Sequence, residues 1–404
     1  MRKTNLIMCA ALAVWLGDAR AVRAQAQMEF IPSLSLFTVY DDNIFARIDG
    51  TAGQMLQLRP SFEGSYESPT VRLLGLYSFD MQRSNFSALN TLDARRHAMA
   101  ETRLRVSPFT TLGLAMRYDR SETPGEINIE TGLLGQRHEA ERLDLTPTVS
   151  RRLSPRMSVS AAYNWTTEHL VDGERGTLHV GRATLARVLS EVSSLTGSYI
   201  GRYFTDHETF APGDPLSHRS HAVLAGWERR LAPGTRLAFS AGPKTTTYQG
   251  IDVEVSAAFA RATNHLRTNV DYWHGETIVL GIRGPVAVDS VTTAFGWPLT
   301  QRIEIGTHAG VSDVSTTEGR TSTIYRGTLA ASWAPSRLYT IAATYGLDYQ
   351  HGTIRHPIFL DGAPLLLDDR VLRHVFRVSV TVAPRYKRSM LPPEEAARAK
   401  GVTR

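Results

Sequence analysis

The sequence predicts an all-β protein: a transmembrane, antiparallel, up-and-down β-barrel of about 18 strands, with 16 as the alternative count. Three observations carry that expectation. Apolar residues recur with period two from Phe30 onward, the alternating runs are about twice as long as ordinary strands, and tight turns alternate with longer polar stretches. Runs of about 10 to 14 residues match a tilted crossing of a bilayer.

The chain of 404 residues begins with Arg2 and Lys3, an apolar run from Leu6 to Leu16 and small residues ending Ala24-Gln25-Ala26. That is the three-part pattern of a secretory signal peptide over 1–26. Cys9, the one cysteine, lies inside it, so the mature chain holds no thiol, and disulfides, thiolate metal sites and cysteine catalysis are excluded. No later apolar run is long enough for a membrane helix. Export with no helical anchor, joined to the strand pattern, predicts an integral protein of the Gram-negative outer membrane: barrel over 27–386, basic periplasmic tail over 387–404.

The formal charge of +6 sits at the two ends, +3 in the signal segment and +3 after Tyr386, leaving the barrel region neutral. A basic nucleic-acid face is therefore not supported, and no nucleic-acid partner is expected. The 45 basic residues include only four lysines, so the chain holds 41 arginines.

The strands follow in order. Leu112, Leu114, Met116 and Tyr118 alternate with Gly113, Ala115, Arg117 and Asp119, and Met157 to Trp165 alternate with Ser158 to Thr166. Ile251 to Phe259, Ile303 to Val311, Tyr339 to Tyr349 and Leu372 to Val382 repeat the pattern. Eight turns punctuate them: Ser68-Pro69, Ser107-Pro108, Ser154-Pro155, Ser190-Glu191, Ala232-Pro233-Gly234, Thr263-Asn264, Leu299-Thr300 and Ala334-Pro335-Ser336. Between them lie the longer stretches Asp41 to Thr51, Ser121 to Glu139, Asp206 to His218 and His351 to Arg370. Eight turns divide nine hairpins, hence about 18 strands with both termini on the periplasmic side. Alternation is weakest over Gly176 to Leu189, at Pro243 and near Val286, where Pro285 must stand at a strand start. Aromatics fall near strand ends, as in two interfacial girdles: Tyr66, Trp297 and Trp333 by short turns, Tyr40, Tyr118, Trp165, Tyr203 and Tyr349 by long loops. A soluble β-sandwich, the competing reading, requires neither such long strands nor one-sided turns.

With the apolar set facing lipid, parity sends the other set into the lumen. The inward residues are then Arg59, Arg103, Arg105, Arg117, Asp119, Arg142, Asp144, Arg202, Arg236, Arg267, Asp271, Arg302, Glu304, Arg326, Asp348, Arg373 and Arg377, with Arg72, Arg152, Lys244 and several further carboxylates. Such a wall leans basic. It either attracts anions and sugars through guanidinium groups or pairs its charges across strands to keep a solvated interior. An inward-folded loop would narrow the channel, and Thr353 to Asp369, with its Ile-Phe-Leu and Leu-Leu-Leu runs, is the leading candidate.

No HExxH, GxSxG or phosphate-loop pattern occurs, and no cofactor, metal or catalytic residue is assigned. His218 and His221 have a spacing that could share a metal, though solvated histidines are the commoner outcome, and Asp41-Asp42-Asn43 reads as Asx turns more readily than as a calcium site.

The first crossing ends Thr38-Val39-Tyr40-Asp41-Asp42-Asn43-Ile44-Phe45. This resembles the outer-membrane porin family often called β-barrel porin 2, with Tyr40, Asp41, Asp42, Asn43, Ile44 and Phe45 as the matching motif. The resemblance is specific there and generic in hairpin count and turn pattern over Phe30 to Tyr386. It implies a barrel and an association with envelope or exopolysaccharide secretion. One departure is the basic tail after Tyr386, where such barrels usually stop at a terminal aromatic. The expected function is a passive, porin-like channel for small or sugar-rich, anionic solutes, with polysaccharide export as its most specific form, and not an enzyme. The alternative is a plugged barrel with an enzymatic or adhesion role. Expected partners are outer-membrane lipid and lipopolysaccharide, the barrel-assembly machinery and polysaccharide secretion components.

Overall fold

The structure is a computed structural model. It describes residues 26–389 apart from 48–49, 123–127, 129–130, 135–138, 171–174, 208–215, 248–249, 280–281, 283, 318, 353, 355–357, 361–362, 366–369 and 385. Residues 1–25, where a signal peptide is expected, and most of the basic tail lie outside these residues.

The strands are β1 (Gln27–Asp41), β2 (Gly53–Glu67), β3 (Val71–Ser84), β4 (Thr91–Ser107), β5 (Thr110–Ser121), β6 (Ala140–Ser154), β7 (Met157–Leu170), β8 (Arg175–Ser190) and β9 (Ser193–His207). There follow β10 (Leu216–Ala232), β11 (Thr235–Thr246), β12 (Gly250–Ala262), β13 (Arg267–Thr277), β14 (Val286–Pro298), β15 (Ile303–Thr316), β16 (Thr321–Trp333) and β17 (Tyr339–Gly352). The chain ends with β18 (Ile358–Leu360), β19 (Ala363–Leu365), β20 (Arg370–Val382) and β21 (Tyr386–Ser389). Each strand from β1 to β17 pairs antiparallel with the next, and β17 pairs with β20. The barrel closes where β20 returns to β1, from Leu34 opposite Val382 to Asp41 opposite Val375. Short β21 continues that lane, with Phe30 opposite Tyr386. The result is a closed antiparallel barrel of 18 strands, β18 and β19 forming a separate ribbon.

All eight sequence-predicted turns join strands at one end, which also holds the start of β1 and the end of β20. The other end carries the loops. The three weak segments become β8, β11 and β14, and Pro285 stands directly before β14. Pro243 leaves a gap in the ladder: β10 and β11 pair at Ala222–Lys244 and resume at Ala225–Ala241. Gly242 beside it lies so close to the Val223 carbonyl oxygen that no Cβ fits.

The two faces of the wall differ as period two requires. Leu34, Leu36, Leu56, Phe62, Leu185, Phe239, Leu329 and Phe376 are exposed on the outer face. The inner face buries Asp41, Gln57, Asp80, Glu254, Lys244 and Gln350. Apolar outside and polar inside inverts a soluble core and suits a lipid-facing barrel.

Candidate functional site

The closed wall encloses a lumen, and its two halves differ. In the loop half, inward cations meet carboxylates on the same strand, a neighbouring strand or one two to three strands away. Arg59 donates to Asp80 at 2.5 and 2.8 Å, and Arg95 lies 3.6 Å from the same carboxylate. Asp119 takes His97 on one oxygen at 2.6 Å and Arg117 on the other at 2.5 Å. Arg142 bridges Asp144 at 2.9 Å and Glu168 at 3.1 Å. Arg202 forks onto Glu254 at 2.7 and 2.8 Å, and fully buried Lys244 is held by Asp252 at 2.9 Å and Glu276 at 3.5 Å. Arg326 meets Asp348 at 2.9 Å, and Arg373 meets Asp41 at 2.6 Å. Arg59 and Arg377 lie over the Phe37 ring, at 4.8 and 5.6 Å from its centre.

The same half is filled by apolar side chains from the loops. Leu133 of the β5–β6 loop, Val279 and Ile282 of the β13–β14 loop and Ile354 after β17 pack against the inward Val286, Val288, Val314 and Ile324. Leu134 joins Ala46 and Val371, while Ile44 packs on Val39, Met55 and Leu89 with Phe45 and Phe86 beside them. The β5–β6 loop therefore crosses to the far wall. Its Gly132 carbonyl accepts from Arg326 Nη2 at 3.1 Å, and the Leu134 amide donates to Gln350 Oε1 at 2.8 Å. Gly132 has φ +68° and lies against the Arg326 guanidinium, so a side chain there would meet both strain and contact.

The turn half is open and differently charged. Arg72, Arg105, Arg152, Arg182 and Arg230 face inward there and are exposed. Two arginine pairs stand directly opposite across strands, Arg72 with Arg103 and Arg230 with Arg236; one member of each is ion-paired, Arg103 to Glu101 at 2.9 Å and Arg236 to Glu228 at 3.5 Å, on exposed side chains where such pairs offset the like charge only in part. From β3 to β11 these arginines face Glu101 and Glu228 as the described inward carboxylates of that half. The arc from β13 through the seam to β2 instead carries Asp271, Glu304, Glu29, Glu63 and Glu67 with Arg267. The cavity thus has a basic side and an acidic side, a transverse field.

Of the residues assigned to the lumen from parity, the registers place Arg59, Arg103, Arg105, Arg117, Asp119, Arg142, Asp144, Arg202, Arg236, Arg267, Asp271, Glu304, Arg326, Asp348, Arg373 and Arg377 on the inner face. Arg302 is different: it lies in the turn before β15, exposed, with its carbonyl bonded to the Ala334 amide, because the strand starts one residue later than alternation implied. Arg182 was missed, since small residues on both faces of β8 blur its alternation. Within the first-crossing motif Tyr40 faces outward, Asp41 inward, and the Asn43 amide bonds to Asp41 Oδ1 at 3.1 Å in an Asx turn. His218 is buried inside while His221 is exposed outside, so these two share no metal. Among the described residues no group of three or more His, Cys, Asp or Glu is placed to hold a metal. Most of Thr353 to Asp369 lies outside the described residues; Ile354 alone of its described side chains joins the filling of the lumen.

No protein-family model and no curated protein matches the chain, so the likeness at Tyr40 to Phe45 remains a resemblance. Solved barrels are similar in outline. OccK1 (OpdK) of Pseudomonas aeruginosa is 11% identical, with 89% of this chain and 99% of that one covered and a TM-score of 0.45. The siderophore receptor PirA of the same organism is 11% identical over 88% and 80% at 0.44, and PirA of Acinetobacter baumannii 7% over 90% and 81% at 0.42. At this distance the chemistry of the lumen rests on this chain's own residues.

Proposed function

We propose that the chain is an integral outer-membrane, porin-like channel that takes small anionic, sugar-bearing solutes into the basic side of its turn-end vestibule. The observation that carries this is the division of the lumen: charges are buried in pairs where loops fill it, and where it is open the exposed arginines of β3 to β11 outnumber the two carboxylates, Glu101 and Glu228, that pair with Arg103 and Arg236. Guanidinium groups that face one another across a hydrated wall favour carboxylate- and phosphate-bearing solutes, and the acidic arc opposite orients their hydroxyl-rich parts. Passage to the loop end requires the Leu133 and Ile282 cluster to move, and export of a polysaccharide strand requires it to move further. The direct test is planar-bilayer conductance of the refolded mature chain with reversal potentials in a salt gradient. An anion-leaning current supports the reading; a steady cation preference overturns it.

A plugged barrel with a hydrolytic role is the second reading, favoured by one arrangement. Ser78, His97 and Asp119 lie on three consecutive strands facing inward, Ser78 directly opposite His97 and His97 bonded to Asp119. Labelling of the intact barrel by a fluorophosphonate, abolished in Ser78→Ala, would favour it; no labelling would remove it.

A further inference from the structure

The outer face of the barrel carries a feature that solute passage does not use. Across four consecutive strands at the loop end, Trp165, His179, Tyr203 and Arg219 stand directly opposite one another in a single row. Three of the four interact: the His179 and Tyr203 rings lie 6.1 Å apart, the Arg219 guanidinium lies 5.4 Å over Tyr203, and Tyr163 Oη is 2.6 Å from His179 Nδ1. Just below, Tyr199 Oη is 2.8 Å from His221 Nδ1, and above, exposed Arg175 opens β8.

Two independent observations give this surface a ligand. The first is charge. The described outward positions of β7 to β10 contain no Asp or Glu; the outward carboxylate beside them is Glu141 of β6, opposite His169, and beyond β6 the outward Arg96 and Arg120 of β4 and β5 are neutralised by Asp93 and Glu139, Arg120 at 2.8 and 2.5 Å. The second is shape. Between Tyr163 and His221 the facing positions are Gly181 and Gly201, directly paired, and nothing lies within 4 Å of where a Gly181 side chain would stand. Gly181 leaves a dent in the wall immediately below the basic row, while the space over Gly201 is partly taken by the Tyr199 ring and His221, 3.4 to 3.7 Å from where its side chain would stand.

On the reading that the barrel spans a membrane, we infer that this surface binds a phosphate-bearing lipid of the leaflet at the loop end. Arg219 and Arg175 take the headgroup phosphate, the tyrosine and histidine edges add hydrogen bonds, and an acyl chain lies over Gly181. Guanidinium is suited to phosphate through its planar, multidentate donors, and such bonds strengthen at the low polarity of a membrane interface. The aromatic partners hold Arg219 in place, so less of its freedom is lost on binding.

The test uses the refolded full-length mature barrel in mixed-lipid nanodiscs, with retained lipid counted by native mass spectrometry. The probes are a diphosphorylated glucosamine-disaccharide lipid and the same lipid stripped of phosphate. The wild-type barrel retains the phosphorylated form with a preference of about tenfold, the size of one lost charge-assisted bond. Arg175→Gln with Arg219→Gln abolishes the preference, and Arg187→Gln with Arg229→Gln, outward arginines of the turn half, leaves it intact. Equal retention of both lipids, equal loss in both variants, or release of the lipid by inorganic phosphate alone would overturn the assignment. A barrel that enters nanodiscs yet lacks the preference defeats this inference alone; one that fails to enter them defeats the membrane reading.

Discussion

Arg326 on β16 donates to the backbone carbonyl of Gly132, a loop residue on the opposite side of the lumen and 194 positions earlier in the chain, at 3.1 Å. β17, β20, β1, β2, β3 and β4 intervene along the shorter way round. The contact ties a crossing segment to the far wall while the same guanidinium holds Asp348.

Arg326→Ala should therefore release the β5–β6 loop and leave Asp348 without its partner. The expected outcome is a larger, noisier single-channel current and a loss of about 1 to 3 kcal/mol of stability. Heat-modifiable gel mobility and bilayer recordings check both. A stable variant with unchanged current would show that the tether does not hold the loop.

A charge inside the apolar filling should open it. Leu133→Asp and Ile282→Asp each place a carboxylate among Val286, Val288, Val314 and Ile324, where an unpaired charge is costly and the loop has water to retreat to. Liposome swelling should then admit larger sugars than the wild-type barrel does. Leu133→Ala should act in the same direction and more weakly.

Ion selectivity should be set in the turn half. Arg105→Glu with Arg152→Glu reverses exposed charge on the basic arc and should move the reversal potential toward cations with the fold intact. Arg142→Glu should behave otherwise: it sets a third carboxylate against Asp144 and Glu168, so misfolding is expected in place of a selectivity change.

Asp41 and Arg373 form a buried pair at the seam, with Asp41 wholly inaccessible and Arg373 nearly so. Asp41→Ala should cost about 3 to 5 kcal/mol, the usual effect of stranding one buried charge. Arg373→Lys should cost less, since one of the hydrogen bonds survives. Urea titration followed by gel mobility distinguishes them.

Strand count, turn positions and facing were legible because period two leaves no freedom: once one residue of β17 faces lipid, every other one does. The errors fall where that rule weakens. Arg302 lies one residue outside its strand, and Arg182 sits among Gly181, Ala183 and Ala186, too small to mark a face. The crossing of the β5–β6 loop into the lumen was not legible; of the stretch expected to fold inward, Thr353 to Asp369, Ile354 joins the filling. Leu133 and Leu134 belong to no repeating pattern, and their burial depends on Arg326 and Gln350, distant in the chain and supplied by the closed barrel. Parity likewise gave the inward arginines without saying which would be neutralised, since pairing depends on which carboxylate the neighbouring strand brings to the same height.

The seam has a consequence for how the barrel comes into being. Ser35 bonds to Thr381 at 2.8 Å, a separation of 346 residues. Every other lane is joined to its neighbour by a turn or loop, and this one joins the two ends. Closure must therefore follow the formation of every other lane, and until then β1 and β20 present two bare edges, each able to pair with another chain. Burying the Asp41–Arg373 pair only at that final step makes the cylinder's completion, and not the formation of any hairpin, the point at which the first strand's charge is at last compensated.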